Sequence, residues 1–308
     1  MNLTSVRKAA ISEGKMTRAY NDTLNRLCSG NPNIITLGDC PIRKSSVKSP
    51  GMQVMAGVAA GLSLTGNIPF LHGSAQDLTR HSFDQLFTSA AYAGLNLKII
   101  GRNPGVTAER CSGARMPFED IGLMRLIPNV TIYEASDAVM LASLLKMAAD
   151  EYGVHYIRKA RDEPMQLYSE QETFEKGKGK VLREGDDLTI FASGIMVAES
   201  LKAADRLAIE GIDAAVIDLY SIKPLDTDLV IKYAKKTGAV ITAENHNIIG
   251  GIGSAVAEVL GEHCPAPLAR IGVKEQFGHS GQMEYLKMIY GLTFCDIVEA
   301  AKTQIKRK

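Results

Sequence analysis

The chain predicts an α/β protein made of two doubly wound domains with mostly parallel sheets. Short apolar runs of strand length alternate with longer stretches whose apolar residues recur at spacings of three and four. That alternation fills residues 1–165 and resumes over residues 185–308. Residues 166–184, with Lys176-Gly177-Lys178-Gly179-Lys180 inside them, are polar and glycine-rich and read as a linker.

In chain order, residues 4–29 carry helical spacing and 33–38 read as a short buried strand. A basic loop over 39–50 holds Arg43, Lys44 and Lys48. The Ser49-Pro50-Gly51 turn is a start signal for a helix rich in small residues, which lets neighbours approach closely. A strand over 68–72, a helix over 76–93 and a strand over 97–100 follow. A long loop over 101–117 leads to a helix near 118–125, a strand over 130–133, a helix over 136–150 capped by Ser136 and Asp137, and a strand over 154–158. The second half predicts strands over 188–192, 214–219, 239–243 and 268–273, with helices over 194–210, 226–236 and 251–261. Two helical patterns, 283–290 and 294–306, close it.

Composition narrows the function classes. With 45% hydrophobic and 22% charged residues and a net charge of +1, nucleic acid and membrane surfaces are poor partners. Five cysteines, Cys28, Cys40, Cys111, Cys264 and Cys295, are odd in number and show no C-x-x-C spacing, so reduced thiols and a cytoplasmic setting are expected. No apolar run approaches a membrane span of about 20 residues, and the first residues lack a signal-peptide core.

Several stretches carry a family resemblance. In the second half they are Asp218-Leu219-Tyr220-Ser221-Ile222-Lys223-Pro224-Leu225-Asp226, Glu244-Asn245-His246 running to Gly253-Ser254, and Lys274-Glu275-Gln276-Phe277-Gly278-His279-Ser280-Gly281. In the first they are Gln53, the run Met55 to Leu62, Phe83-Asp84-Gln85, Glu119-Asp120-Ile121 and Tyr156-Ile157-Arg158. Together they resemble the pyrimidine-binding and C-terminal domains of the transketolase family, in that order. The resemblance implies a thiamine diphosphate enzyme that moves a two-carbon ketol unit between sugar phosphates. The Gly-Asp-Gly pattern that holds the diphosphate through Mg²⁺ in that family has no counterpart in this sequence. The expectation is therefore the C-terminal subunit of a split transketolase. An N-terminal subunit would bring the diphosphate site, in a homodimer or heterotetramer, with no metal site in this chain. His246 and His279 are expected to order local turns.

The resemblance also locates departures. The position of the family's activating glutamate is Met52, which cannot exchange a proton, and general acid–base help of this kind is worth about 10²–10⁴ in rate. The aromatic residues that stack on the pyrimidine align with Ser74 and Asp77, so Met52, Gln53, Ser74 and Asp77 are the candidate cofactor contacts. Two substrate-facing histidines align with Asn103 and Arg115, and an acidic partner with Cys111. Arg158 aligns with the arginine that grips the substrate phosphate, and an exposed arginine at a strand's carboxyl end suits a bidentate phosphate contact. Arg102, Arg110 and Arg115 lie near the same strand ends. A thiamine enzyme with an altered substrate and activating group, and a non-catalytic scaffold or regulatory homologue, are the alternatives these substitutions leave open.

Overall fold

The structure, a computed structural model, describes residues 14–40, 51–109, 111–161 and 165–308. Arg43, Lys44, Lys48, Arg110 and residues 4–13 of the expected first helix lie outside the described residues. Two sheets form, as the two rounds of alternation require. The first has strand order β1-β2-β3-β5-β4-β9 and the second β11-β10-β7-β8-β6.

The first sheet is built from β1 (Ile34–Gly38), β2 (Ile68–Ser74), β3 (Leu97–Arg102), β4 (Thr131–Glu134) and β5 (Val154–Lys159), all parallel. Its helices are α1 (Lys15–Gly30), α2 (Met52–Leu64), α3 (Ala75–Arg80), α4 (Asp120–Arg125) and α5 (Ala138–Asp150). Helices on both faces bury the strands, and β3 and β5 are buried along nearly their whole length, Lys98, His155 and Arg158 included. The expected helix over 76–93 is broken: α3 stops at Arg80, and a π-helical run over Gln85–Tyr92 follows.

The second sheet uses β6 (Lys180–Arg183), β7 (Leu188–Ala192), β8 (Ala214–Asp218), β10 (Val240–Asn247) and β11 (Leu268–Val273), with α6 (Ile195–Ile209), α7 (Thr227–Thr237), α8 (Ile252–His263), α9 (Met283–Tyr290) and α10 (Phe294–Ile305). β6 runs antiparallel to β8 at one edge. Between β8 and α7 the chain adds β9 (Ser221–Lys223), which crosses over to pair antiparallel with β4 of the first sheet.

Residues 166–184 are therefore more than a solvated connector. They supply β6 and bury Tyr168 and Phe174, whose rings meet edge-to-face, Phe174 doing the same with Tyr220. Alternating charged residues hid two aromatic anchors. One apolar cluster runs from Met16, Tyr20 and Leu24 of α1 through α5 into β7 and α6, so the two halves share a core. Among the described residues no helix is long and apolar enough to cross a membrane.

Helix α2 shows its small residues in use on one face. Met55, Ala56, Ala59, Ala60 and Ser63 are buried inward, whereas Gln53, Val54, Gly57, Val58, Gly61 and Leu64 face solvent. A Cβ built at Gly57 or Gly61 would meet nothing within 4 Å. The close approach those glycines permit is not made by any of the described residues.

Candidate functional site

Parallel strands deliver their following loops to one edge, and the chemistry-bearing residues of the first half collect there. Asp39 follows β1, Ser74 ends β2, Arg102 and Asn103 close β3, and Lys159 and Arg161 close β5. The register places Ser74 beside Arg102 and Arg102 beside Lys159. A cavity of about 250 Å³ opens at this edge, lined by Thr17, Tyr20, Arg102, Asn103, Lys159 and Arg161.

Its charge is positive. Arg102 forms an ion pair with Asp39, whose side chain is mostly exposed at the rim. Lys159 is buried, donates to the Ala160 carbonyl at 3.0 Å and lies 5.2 Å over the Tyr20 ring. Asn103 has φ of 53°, a left-handed conformation that asparagine tolerates better than most residues, and its N–H donates to the Lys159 carbonyl at 3.1 Å. Beneath the cavity the Tyr20 hydroxyl meets Nδ1 of buried His72. Burial, followed by the charges of Arg102 and Lys159, lowers the His72 pKa to about 3, so its imidazole is neutral. Its Nε2 has no partner among the described residues.

The candidate cofactor contacts lie on the same edge. Met52 opens α2, and a Cβ built at Gly73 would lie 3.3 Å from Met52 Sδ and 2.9 Å from Leu78 Cγ. The thioether and a leucine thus cover Gly73. Ser74 Oγ donates to Asp77 Oδ2 at 2.7 Å and accepts from the Asp77 N–H at 3.1 Å, which caps α3. His81 Nδ1 lies 3.6 Å from Asp77 Oδ1. Gln53 is exposed on α2.

Two expectations are corrected by geometry. Arg158 is not exposed: its relative exposure is 0%, and it is the hub of a buried network. Nε and Nη2 grip Asp120 at 2.8 and 3.1 Å, Nη1 pairs with Glu134, and Nη2 donates to the Asn245 carbonyl at 2.7 Å. Side chains alternate along β5, so Arg158 points into the seam between the halves, while Lys159 and the loop residue Arg161 reach the cavity. Arg115 does not line that cavity; it sits exposed on a 3₁₀ turn (Gly113–Arg115), and the exposed Cys111 precedes that turn. Lys159, Arg161, Tyr20 and Thr17 went unrecognised in the sequence. The signal that could have found the first two is their place just after a strand that neighbours β3.

The seam explains the second half's motif residues. Asn245 accepts from the Val106 N–H at 2.9 Å and donates to the Pro104 carbonyl at 3.0 Å, and the Asn247 N–H donates to the Phe118 carbonyl at 2.7 Å. His246 Nε2 accepts from the Gly122 N–H at 3.2 Å, so it orders a loop of the other half as well as its own turn, where Nδ1 lies 2.7 Å from the Asn247 carbonyl. His279 packs on Tyr290 with ring centroids 6.0 Å apart. Burial would raise the Asp120 pKa, but the Arg158 guanidinium holds it below its ordinary value. A larger cleft of about 610 Å³ lies at the seam, bounded by Arg80, Met116, Phe118, Glu119, Asn247 and Phe277. Its polar groups bind one another: Arg80 pairs with Glu119 and donates to the Ala114 carbonyl at 2.5 Å, and Asn247 donates to Glu275 at 2.8 Å.

Known proteins align with both halves. The transketolase pyrimidine-binding domain matches residues 53–165, and the transketolase C-terminal domain matches residues 177–297. A 6-deoxy-6-sulfo-D-fructose transketolase subunit from Clostridium sp. (strain MSTE9) is 43% identical, over 97% of this chain and 97% of its own length. A putative transketolase C-terminal section from Methanocaldococcus jannaschii is 35% identical over 83% of this chain and 81% of its own length. Among solved structures, a split-gene transketolase described as an inactive β4 tetramer superposes with a TM-score of 0.86 at 38% identity, covering 94% of this chain and 98% of that one. With both domains in the expected order and relatives matched over nearly its full length, the chain belongs to the transketolase family.

Proposed function

We propose that this chain is the C-terminal subunit of a split transketolase, active together with an N-terminal subunit that carries the diphosphate and Mg²⁺ half of the cofactor site. Its donor is a ketose bearing a sulfonate or phosphate at its far end, from which a two-carbon unit passes to an aldose. The observation that carries this reading is the cation cluster of Arg102, Lys159 and Arg161 around one strand-end cavity. Charge-assisted hydrogen bonds from such a cluster hold an oxyanion, and the cavity's size suits a terminal group with a few carbons. The Clostridium relative is described as acting on a sulfonated fructose, which makes that compound the first donor to try. The bare face of α2, with Val54 52% and Val58 45% exposed, supports a neighbouring subunit of a dimer or heterotetramer at that surface.

Thiamine diphosphate, when bound, supplies the reactive carbon that takes up the two-carbon unit. Its aminopyrimidine asks of the protein an apolar surface for its faces and a carboxyl for its ring nitrogen. Both are present at the end of β2: the half-buried thioether of Met52 over Gly73 is apolar, and Asp77 is a carboxyl with its side chain 35% exposed. The residues fit the group, with the carboxyl in the first turn of α3 and not on α2. Arg102, Lys159 and Arg161 then bind and orient the substrate's anionic end, and Tyr20 closes the cavity floor.

The test mixes this chain with its candidate N-terminal subunit, thiamine diphosphate and Mg²⁺, and follows transfer from 6-deoxy-6-sulfofructose and from fructose 6-phosphate. The expected result is transfer by the mixture only, with Lys159→Met and Arg161→Ala each lowering kcat/KM by about tenfold or more, equivalent to about 1.4 kcal/mol. No transfer from either donor, with the two chains still associating, would reject the reading. It would favour the second one, a non-catalytic assembly partner, for which Met52 at the family's carboxylate position speaks.

A further inference from the structure

The departure at Met52 has a counterpart across Gly73. Helix α2 brings a thioether where a carboxyl is expected, and the first turn of α3 brings a carboxyl where an aromatic ring is expected. The two positions flank one strand end: Met52 Sδ lies over Gly73, and Asp77 is held from the next residue, Ser74, by a 2.7 Å hydrogen bond. We infer that the two contacts have exchanged places, so that Asp77 is the catalytic carboxyl meeting the ring nitrogen of the aminopyrimidine and Met52 is the surface under the ring. This inference rests on the split-transketolase reading above.

Chemistry supports both halves of the exchange. A thioether packs favourably against a ring, as sulfur–aromatic contacts do. Asp77 Oδ2 is oriented by the Ser74 hydroxyl, and its Oδ1 lies 3.6 Å from Nδ1 of His81, whose side chain is 59% exposed. A carboxyl fixed on one oxygen, with only an exposed histidine beside the other, can hold one proton in common with a ring nitrogen, giving it and receiving it back, so no other reactant is required.

The experiment uses the complex of this chain with its N-terminal subunit and reads cofactor binding by calorimetry. Thiamine diphosphate is compared with an analogue carrying carbon in place of the ring nitrogen, and deuterium exchange at the reactive carbon is followed by NMR. The wild-type complex is expected to prefer thiamine diphosphate over the analogue by about tenfold or more. Asp77→Asn, which keeps an acceptor for Ser74, should bring that ratio near one and slow exchange by about 10²-fold or more. Met52→Glu in the Asp77→Asn background should restore both, which a merely structural loss at Asp77 would not allow. An unchanged ratio and exchange rate in Asp77→Asn would overturn the exchange of roles and leave the split-transketolase reading standing. No cofactor uptake by the wild-type complex would overturn both.

Discussion

Replacing Arg158 by methionine tests the buried network at the seam. Methionine keeps most of the volume and removes the guanidinium, leaving Asp120 and Glu134 buried at 0% and 3% exposure without their counter-charge. Each keeps one donor, the Tyr156 hydroxyl at 2.7 Å for Asp120 and the Ser193 hydroxyl at 2.5 Å for Glu134. Removing one partner of a buried ion pair costs about 3–5 kcal/mol, and here one substitution strips two carboxylates, so the upper end of that range is expected at pH 7.5. The loss should shrink at lower pH. Arg158 depresses the Asp120 pKa, so in the wild type that stabilisation is full above the unfolded carboxylate value of about 3.9 and fades as pH falls through the depressed folded value. In the variant a buried Asp120 can take up a proton and recover part of the loss. Urea unfolding followed by tyrosine fluorescence, the chain having 10 tyrosines and no tryptophan, gives the comparison at pH 7.5 and 5.5. With a slope of about 3 kcal/mol/M, a loss of about 5 kcal/mol moves the midpoint by roughly 1.7 M. A shift under about 0.3 M, or one equal at both pH values, would refute the account of Arg158 as the counter-ion of the seam. Adding Asp120→Asn and Glu134→Gln should recover most of the midpoint.

Asp218 is buried, and its Oδ2 accepts from Tyr168 at 2.9 Å. Burial, with the charges of Glu134 and Asp137 adding, pushes its pKa up to about 7. The folded state then binds more protons than the unfolded chain between about pH 4 and 7, so stability falls as pH rises through that window. Asp218→Asn should remove this dependence and gain up to about 4 kcal/mol on the wild type between pH 5 and 8; parallel unfolding curves for the two proteins would sink the assignment. Val58→Glu on the exposed face of α2 should lower the mass measured by light scattering while leaving far-ultraviolet circular dichroism unchanged. An unchanged mass would move the subunit contact elsewhere.

Most of the fold is legible in the amino-acid order because its period is local. Strand runs such as Leu188–Ala192 and Ala214–Asp218 are buried along their whole length and stand out as short, mostly apolar stretches. The breaks in that legibility are also local in cause. Tyr168 and Phe174 sit among charged residues whose average hides two buried rings, and β9 is a three-residue strand whose partner, β4, lies in the other half of the chain.

By itself the sequence determined the two α/β halves, their order, the family they resemble and the substitution of Met52 for a carboxylate. Which arginine meets solvent was decided only in three dimensions. Arg158 and Lys159 are adjacent, yet the pleat of β5 sends one to Asp120 and Glu134 in the seam and the other to the strand-end cavity. Likewise, Met52 and Asp77 are separated by a strand and a turn, and only the packing of α2 over Gly73 brings thioether and carboxyl to the same strand end. Periodicity is encoded over a few residues. The meeting of side chains distant in sequence is set by how strands and helices pack, and that is where the chemistry of this site lies.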